Sequence, residues 1–165
     1  MRRLSIRMFS PEIKPLYNDL PKGIGQKEMR RRDLSGLKIG DFARKSVVIT
    51  EKMIQKYAEL SGDYNALHFD DAFAKETIFG KRIAHGGITA SIISGLLGSD
   101  LPGNGCAFIN QTLQYRKPLY VGDTATGEVI VRKVIPEKKR VLLDSVVYNQ
   151  FGDIVLEGTA LMLVM

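Results

Sequence analysis

GGITASIISGLL, residues 86–97, is the stretch on which the fold turns. Ile88, Ile92 and Leu96 recur at four-residue steps beside a parallel row of Ile93 and Leu97, and every other position is Gly, Ala, Ser or Thr. Side chains four apart share one face of a helix, so the spacing predicts a helix that begins at Gly86 or Gly87 and runs to about Leu97. Small residues all round it let other backbone approach closely, which marks a central helix wrapped by something else. The uncharged run that contains it, Ile83 to Ser99, includes His85 and three Ser. That run falls short of the roughly 20 predominantly apolar residues of a membrane span and reads as a buried helix.

What wraps the helix follows it in sequence. Ala107 to Tyr115, Thr124 to Val134, Arg140 to Asn149 and Ile154 to Val164 are rich in Val, Ile, Thr and Tyr, as strands are. Tyr120-Val121-Gly122-Asp123 reads as a turn, and Asn149-Gln150-Phe151-Gly152-Asp153 as a hairpin loop. Upstream, Ser46 to Ile49 ends a strand, and Thr50 can N-cap a helix opened by Glu51, with Met53, Ile54, Tyr57, Ala58 and Leu60 along one face and Gly62 at its end. Asp70 can cap a short helix through Phe73. Helices first and strands last predict an α+β domain with an antiparallel sheet.

The 165 residues suffice for one self-supporting core. The charge is less even. Residues 1–32 hold nine Lys/Arg against Glu12, Asp19 and Glu28, and so carry the whole formal charge of +6. The rest is neutral, whereas a nucleic-acid-binding face spreads Lys and Arg over the fold with interleaved aromatics, so no nucleic-acid partner is expected. Pro11, Pro15, Pro21, Gly23, Gly25 and Gly36 punctuate this segment. We read residues 1–36 as a basic extension and 37–165 as the folded domain. The opening MRRLSIRMFS shares the acid-poor, Arg-bearing pattern of mitochondrial presequences, but Pro11 and Pro15 cut a presequence helix short. A cytoplasmic location is expected, with the mitochondrial matrix as the alternative. The single cysteine, Cys106, forbids an intrachain disulfide and a thiolate metal cluster.

The chemistry gathers between the first helix and the central one. The two histidines, His68 and His85, both lie there, with Asp63, Asn65, Asp70 and Asp71 around the first. Neither a second thiolate nor a His-x3-His pair is present, so no metal site is assigned. Asp63 and His68 are five apart, which puts them on different faces of any regular element, but Gly62 stops the helix and an irregular segment can fold the two together. A carboxylate beside an imidazole is a proton-transfer pair.

The stretch Tyr57-Ala58-Glu59-Leu60-Ser61-Gly62-Asp63-Tyr64-Asn65-Ala66-Leu67-His68, followed by Phe79-Gly80-Lys81-Arg82-Ile83-Ala84-His85-Gly86-Gly87, resembles the hydratase-2 signature of MaoC-like (R)-specific enoyl-CoA hydratases. The resemblance continues through Leu101-Pro102-Gly103 and Pro118 to Asp123, and covers roughly Leu37 to Val164. It implies a hot-dog fold, a sheet curled round one central helix, as a homodimer or higher homo-oligomer. It also implies reversible hydration of trans-2-enoyl thioesters to (R)-3-hydroxyacyl thioesters. Asp63 and His68 match the catalytic pair, Asn65 a loop-positioning residue, and Gly86 the residue whose N–H binds the thioester carbonyl.

Gly87 offers a second such donor, since the first N–H groups of a helix lack partners and carry the positive end of its dipole. His85 is assigned to holding this turn or lining the substrate pocket. Coenzyme A or acyl carrier protein is expected as acyl carrier, with no metal or redox cofactor and no membrane partner. Arg116-Lys117 and Lys138-Lys139-Arg140 are alternative sites for the phosphates of coenzyme A. The one departure is Ala66, where the family usually has Pro. Other hot-dog activities, thioester hydrolysis or acyl-CoA binding without turnover, are alternatives that the Asp63 and His68 pair disfavours.

Overall fold

The structure is a computed structural model and describes residues 34–165; the basic extension, up to Asp33, lies outside the described residues. A 3-10 turn, Leu34–Gly36, packs Leu34 against the core and leads to the buried Leu37. The elements are β1 (Phe42–Val48), α1 (Glu51–Ser61), α2 (Ala66–Phe69), α3 (Asp71–Lys75), α4 (Gly86–Ser99), β2 (Cys106–Tyr115), β3 (Thr124–Ile135), β4 (Arg140–Tyr148) and β5 (Ile154–Val164). The strands form one antiparallel sheet in the order β1-β3-β4-β5-β2. This sheet on one central helix is the hot-dog arrangement, and β1 and β2 are its edges.

The central helix sits where the periodicity places it. Ile88, Ile92, Ile93, Leu96 and Leu97 are all buried, whereas Ser91, Ser94, Gly95 and Gly98 face outward. Burying each of those large side chains is worth roughly 1.5–3 kcal/mol. They pack with Val129, Val131, Val141, Leu143, Val147, Leu156, Ala160 and Met162 in one cluster. Strand β3 passes so close beneath that a Cβ on Gly127 would lie 2.7 Å from Ile92 Cγ2 and 3.1 Å from Leu96 Cδ1. At the other end of the sheet, a Cβ on Gly158 would meet the Thr112 carbonyl at 1.8 Å. The missing side chains therefore set the depth at which α4 and β2 lie.

One local feature differs from the sequence reading. The segment 66–69 forms an extra helical turn, α2, too short to leave a periodic signal. Cys106 is half-buried, with its thiol donating to the Leu97 carbonyl and pushed up from its ordinary range chiefly by burial, which leaves it a poor nucleophile. Among the described residues no helix is long and apolar enough to cross a membrane.

The tight contact at Gly127 has a measurable cost. Gly127→Ala is expected to destabilise the protein by about 1–3 kcal/mol through overpacking against α4. Gly158→Ala, opposed by rigid backbone, is expected to cost more. Urea unfolding would show a lowered midpoint with an unchanged slope.

Candidate active site

The first helix stops where its chemistry begins. Thr50 accepts from the Met53 N–H as N-cap of α1, and Gly62, at φ 76°, closes its far end in the left-handed region with its N–H on the Ala58 carbonyl. Glycine adopts that conformation without a Cβ penalty. Beyond it the chain turns on its own polar side chains. Ser61 Oγ accepts from the Asp63 N–H (3.2 Å), Asp63 Oδ1 from the Asn65 N–H (3.2 Å), and Asn65 Oδ1 from the Leu67 N–H (3.0 Å). Asn65 is thereby the N-cap of α2, and α2 carries His68.

This turn brings together the two side chains that lie five apart in sequence. His68 Nε2 is 3.8 Å from Asp63 Oδ2, with the imidazole almost buried and the carboxylate half exposed. His68 Nδ1 lies 2.8 Å from the Ile83 carbonyl, which only accepts, so Nδ1 carries the hydrogen and, in the neutral imidazole, Nε2 presents a lone pair towards Asp63. The separation exceeds a hydrogen bond. Two acceptors face one another across a gap.

His85 closes the site from the other side. Its ring stacks on that of His68 with centroids 3.7 Å apart and planes at 30°, and Tyr57 packs on it at 5.0 Å. His85 Nε2 donates to the main-chain carbonyl of Asp63 at 2.9 Å, and its Nδ1 is buried without a partner. His85 is also the N-cap of α4, so the residue that holds the Asp63 loop immediately precedes Gly86.

At the head of α4 the Ile88 N–H is taken by the His85 carbonyl (3.0 Å), while the N–H groups of Gly86 and Gly87 have no acceptor within the helix. Two tyrosines frame them. A Cβ on Gly87 would sit 1.8 Å from Tyr57 Oη, and one on Gly86 3.0 Å from Tyr115 Cε1, so neither position accepts a side chain without displacing a ring. Partial desolvation, with Tyr57 nearby, pushes the phenol of the otherwise exposed Tyr115 above its usual range, and it stays protonated at neutral pH.

The chain that carries this carboxylate, imidazole and pair of free N–H groups is similar in sequence and fold to known proteins. The MaoC-like domain family matches residues 41–149. The chain belongs to this family. It is 39% identical to an (R)-specific enoyl-CoA hydratase of Rhodospirillum rubrum over 128 residues, 78% of this chain and 88% of that protein. It is 37% identical to a 3-hydroxybutyryl-CoA dehydratase of Methylorubrum extorquens, covering 92% of this chain and 85% of that protein. Among solved structures, the (R)-hydratase from A. caviae involved in PHA biosynthesis superposes with a TM-score of 0.76 at 37% identity, over 79% of this chain and 98% of that one.

Within this MaoC-like site the expected residues are distributed plainly. Asp63, His68 and His85 converge, Gly86 and Gly87 follow His85 at the head of α4, and Asn65 serves the turn that carries Asp63 and His68. Donor atoms of Asp63, His68 and His85 lie within 4.8 Å of one another. However, His68 Nδ1 and His85 Nε2 are engaged by carbonyls, and near-parallel stacked rings do not aim two in-plane lone pairs at one ion. Of the carrier-phosphate candidates, Lys117 pairs with Asp153 and Arg116 with Glu157, which compensates both charges locally.

Sequence reading missed three residues here. Tyr57 was expected only on the apolar face of its helix, Tyr115 only in a strand, and Ile83 acts through a carbonyl that its side chain does not announce.

Ala66 stands at the first position of α2, where proline is favoured. Asn65 before it has φ −57° and ψ 135°, the extended conformation that a following proline requires. Ala66→Pro is therefore expected to stabilise the fold by about 0.4–1 kcal/mol, a rise in Tm of roughly 1–4 °C in thermal unfolding, with hydratase activity retained.

Proposed function

We propose that this chain is a hydro-lyase that reversibly adds water to trans-2-enoyl thioesters, giving (R)-3-hydroxyacyl thioesters, with coenzyme A or acyl carrier protein as the acyl carrier. The chirality and substrate class follow the names of the relatives; the chemistry follows the site. The observation that carries the reading is the hydrogen bond from His85 to the Asp63 carbonyl, which fixes the acceptor pair relative to the free N–H groups of α4.

A water molecule has two O–H donors, and Asp63 Oδ2 and His68 Nε2 are two acceptors 3.8 Å apart. Water held by both turns its oxygen lone pairs outward, towards C3 of a bound enoyl thioester. As oxygen bonds to C3, one acceptor takes a water proton, the C2–C3 π electrons shift towards the thioester, and negative charge collects on the carbonyl oxygen. The Gly86 N–H, with Gly87 beside it and the dipole of α4 behind, stabilises that charge. The proton then passes from the pair to C2. Water is consumed, no electrons change hands, and these steps call on no cofactor.

The site is open in a single chain. Hollows of about 420 and 400 Å³ lie across β2, β5 and β4 on the outer sheet face and around Tyr120 and Phe151, and Asp63, His68 and Gly86 line neither. Strand β2 is a ten-residue edge with exposed Phe108, Ile109 and Tyr115, and its last residue touches Gly86. An unpaired apolar edge is a template for another strand. A second copy pairing there forms a homodimer and walls the substrate channel beside Gly86. Ile109→Lys is expected to shift the protein towards monomer in light scattering and to lower activity with it.

The direct test is hydration of crotonyl-CoA. Asp63→Asn and His68→Gln are each expected to cut kcat about 100- to 10,000-fold, and a stereospecific dehydrogenase should read the wild-type product as (R). Unchanged turnover in both variants would refute the assignment.

A further inference from the structure

We propose that Arg82 is the positioning residue for His68, holding the imidazole in the orientation and tautomer that proton transfer requires. This rests on the hydratase reading of the site, and Arg82 itself touches no reacting atom. Its guanidinium lies beneath the turn that carries the histidine. Nη2 and Nη1 grip both oxygens of Glu51, at 2.6 and 3.3 Å, in the first turn of α1. Nε donates to Asp71 Oδ1 at 2.8 Å in the first turn of α3. Nη1 also donates to the main-chain carbonyl of His68 at 3.3 Å.

The next residue completes a clamp. The Ile83 N–H donates to the Leu67 carbonyl (3.1 Å), and the Ile83 carbonyl receives His68 Nδ1–H (2.8 Å). Residues 67–68 and 82–83 are thus tied by three bonds, two from main-chain groups of Ile83 and one from the side chain of Arg82. The bond to Nδ1 leaves the Nε2 lone pair facing Asp63. If the 82–83 segment shifts, that bond loosens and the ring can turn or exchange tautomers. The Ala84 N–H ties the far end of this segment to the Leu119 carbonyl (2.7 Å), and the fork of Arg82, spread across two helices, holds the end beside His68.

Lysine has one charged nitrogen on a flexible stem and cannot span a bidentate carboxylate, a second carboxylate and a carbonyl together. Its hydrogen bond to Glu51, then that to Asp71, raises the Arg82 pKa further, so the guanidinium stays charged throughout the working range. The clamp also bears on the departure noted in sequence. With Ala66 in place of proline, the backbone of α2 is less restrained by its own chemistry, and Arg82 restrains it from outside.

The experiment uses the full chain with 15N-labelled histidine. Only two histidines occur, so His68→Gln assigns the signals. Arg82→Met, which keeps much of the stem and removes the donors, is expected to lower kcat for crotonyl-CoA at least tenfold with KM within twofold. The His68 15N shifts should move from a pure Nδ1–H pattern towards a mixture. Arg82→Lys, the variant kept in case Met does not fold, should show both effects in the same direction, with kcat down at least threefold.

Folded variants that keep kcat within twofold would overturn the proposal, as would lost kcat with an unaltered His68 pattern, which is the signature of a purely structural staple. An inactive wild type would instead sink the hydratase reading and leave the NMR arm standing.

Discussion

The burial of α4 against the inner face of the sheet fixes where two unpaired N–H groups must be. A helix packed along one face by Ile88, Ile92, Ile93, Leu96 and Leu97 cannot slide or rotate without exposing apolar surface. Its depth is set by Gly127, which lets β3 pass under Ile92. The N-terminus is therefore placed by hydrophobic packing along the whole helix, from Ile88 to Leu97. Donors fixed in this way need no reorganisation when charge develops opposite them, and that is the property that makes a helix head useful to a reaction passing through an enolate-like state.

The acceptor half of the site is held by a different means. Neither imidazole is oriented by a carboxylate; each is oriented by a main-chain carbonyl, Ile83 for His68 and Asp63 for His85. The two rings then stack at 3.7 Å, so that each limits the other's rotation. The arrangement has a local cost, since His85 Nδ1 is buried with no donor to meet it, a deficit of about 1–3 kcal/mol in comparable cases. Such deficits persist where the surroundings over-determine a geometry, and functional sites are where they gather. His85 is tied to both halves, being the N-cap of one and the hydrogen-bond donor to the other.

The fold was legible because its signals are long. A helix with four-residue steps and four strands divided by turn chemistry define an α+β sheet on a central helix without reference to tertiary contacts, and the observed boundaries differ by one or two residues. The site was legible only in its residue types. Asp63 and His68 stand out as chemistry, and Gly62 as a stop, but their approach depends on a sequence of Asx-type turns through Ser61, Asp63 and Asn65. Short helices such as α2 have no period to detect. Ile83 contributes through main-chain atoms that every residue shares. Tyr57 and Tyr115 read as ordinary apolar positions because what distinguishes them is the absence of a Cβ on the glycines they cover.

The unequal exposure of the proton-transfer pair follows from the same geometry. His68 is enclosed because its direction must be held, while the Asp63 side chain stays half open in the single chain. An open carboxylate keeps its hydration and interacts weakly with charges around it, since water screens them. Under the proposed function, an acyl thioester lying between Asp63 and the head of α4 would displace that water, and the carboxylate, the imidazole and the helix dipole would then act on one another at lower effective dielectric. On that reading the strong electrostatic state would be reached only with substrate present, and the half-open Asp63 side chain spares the free protein the cost of burying a carboxylate charge without a cation beside it.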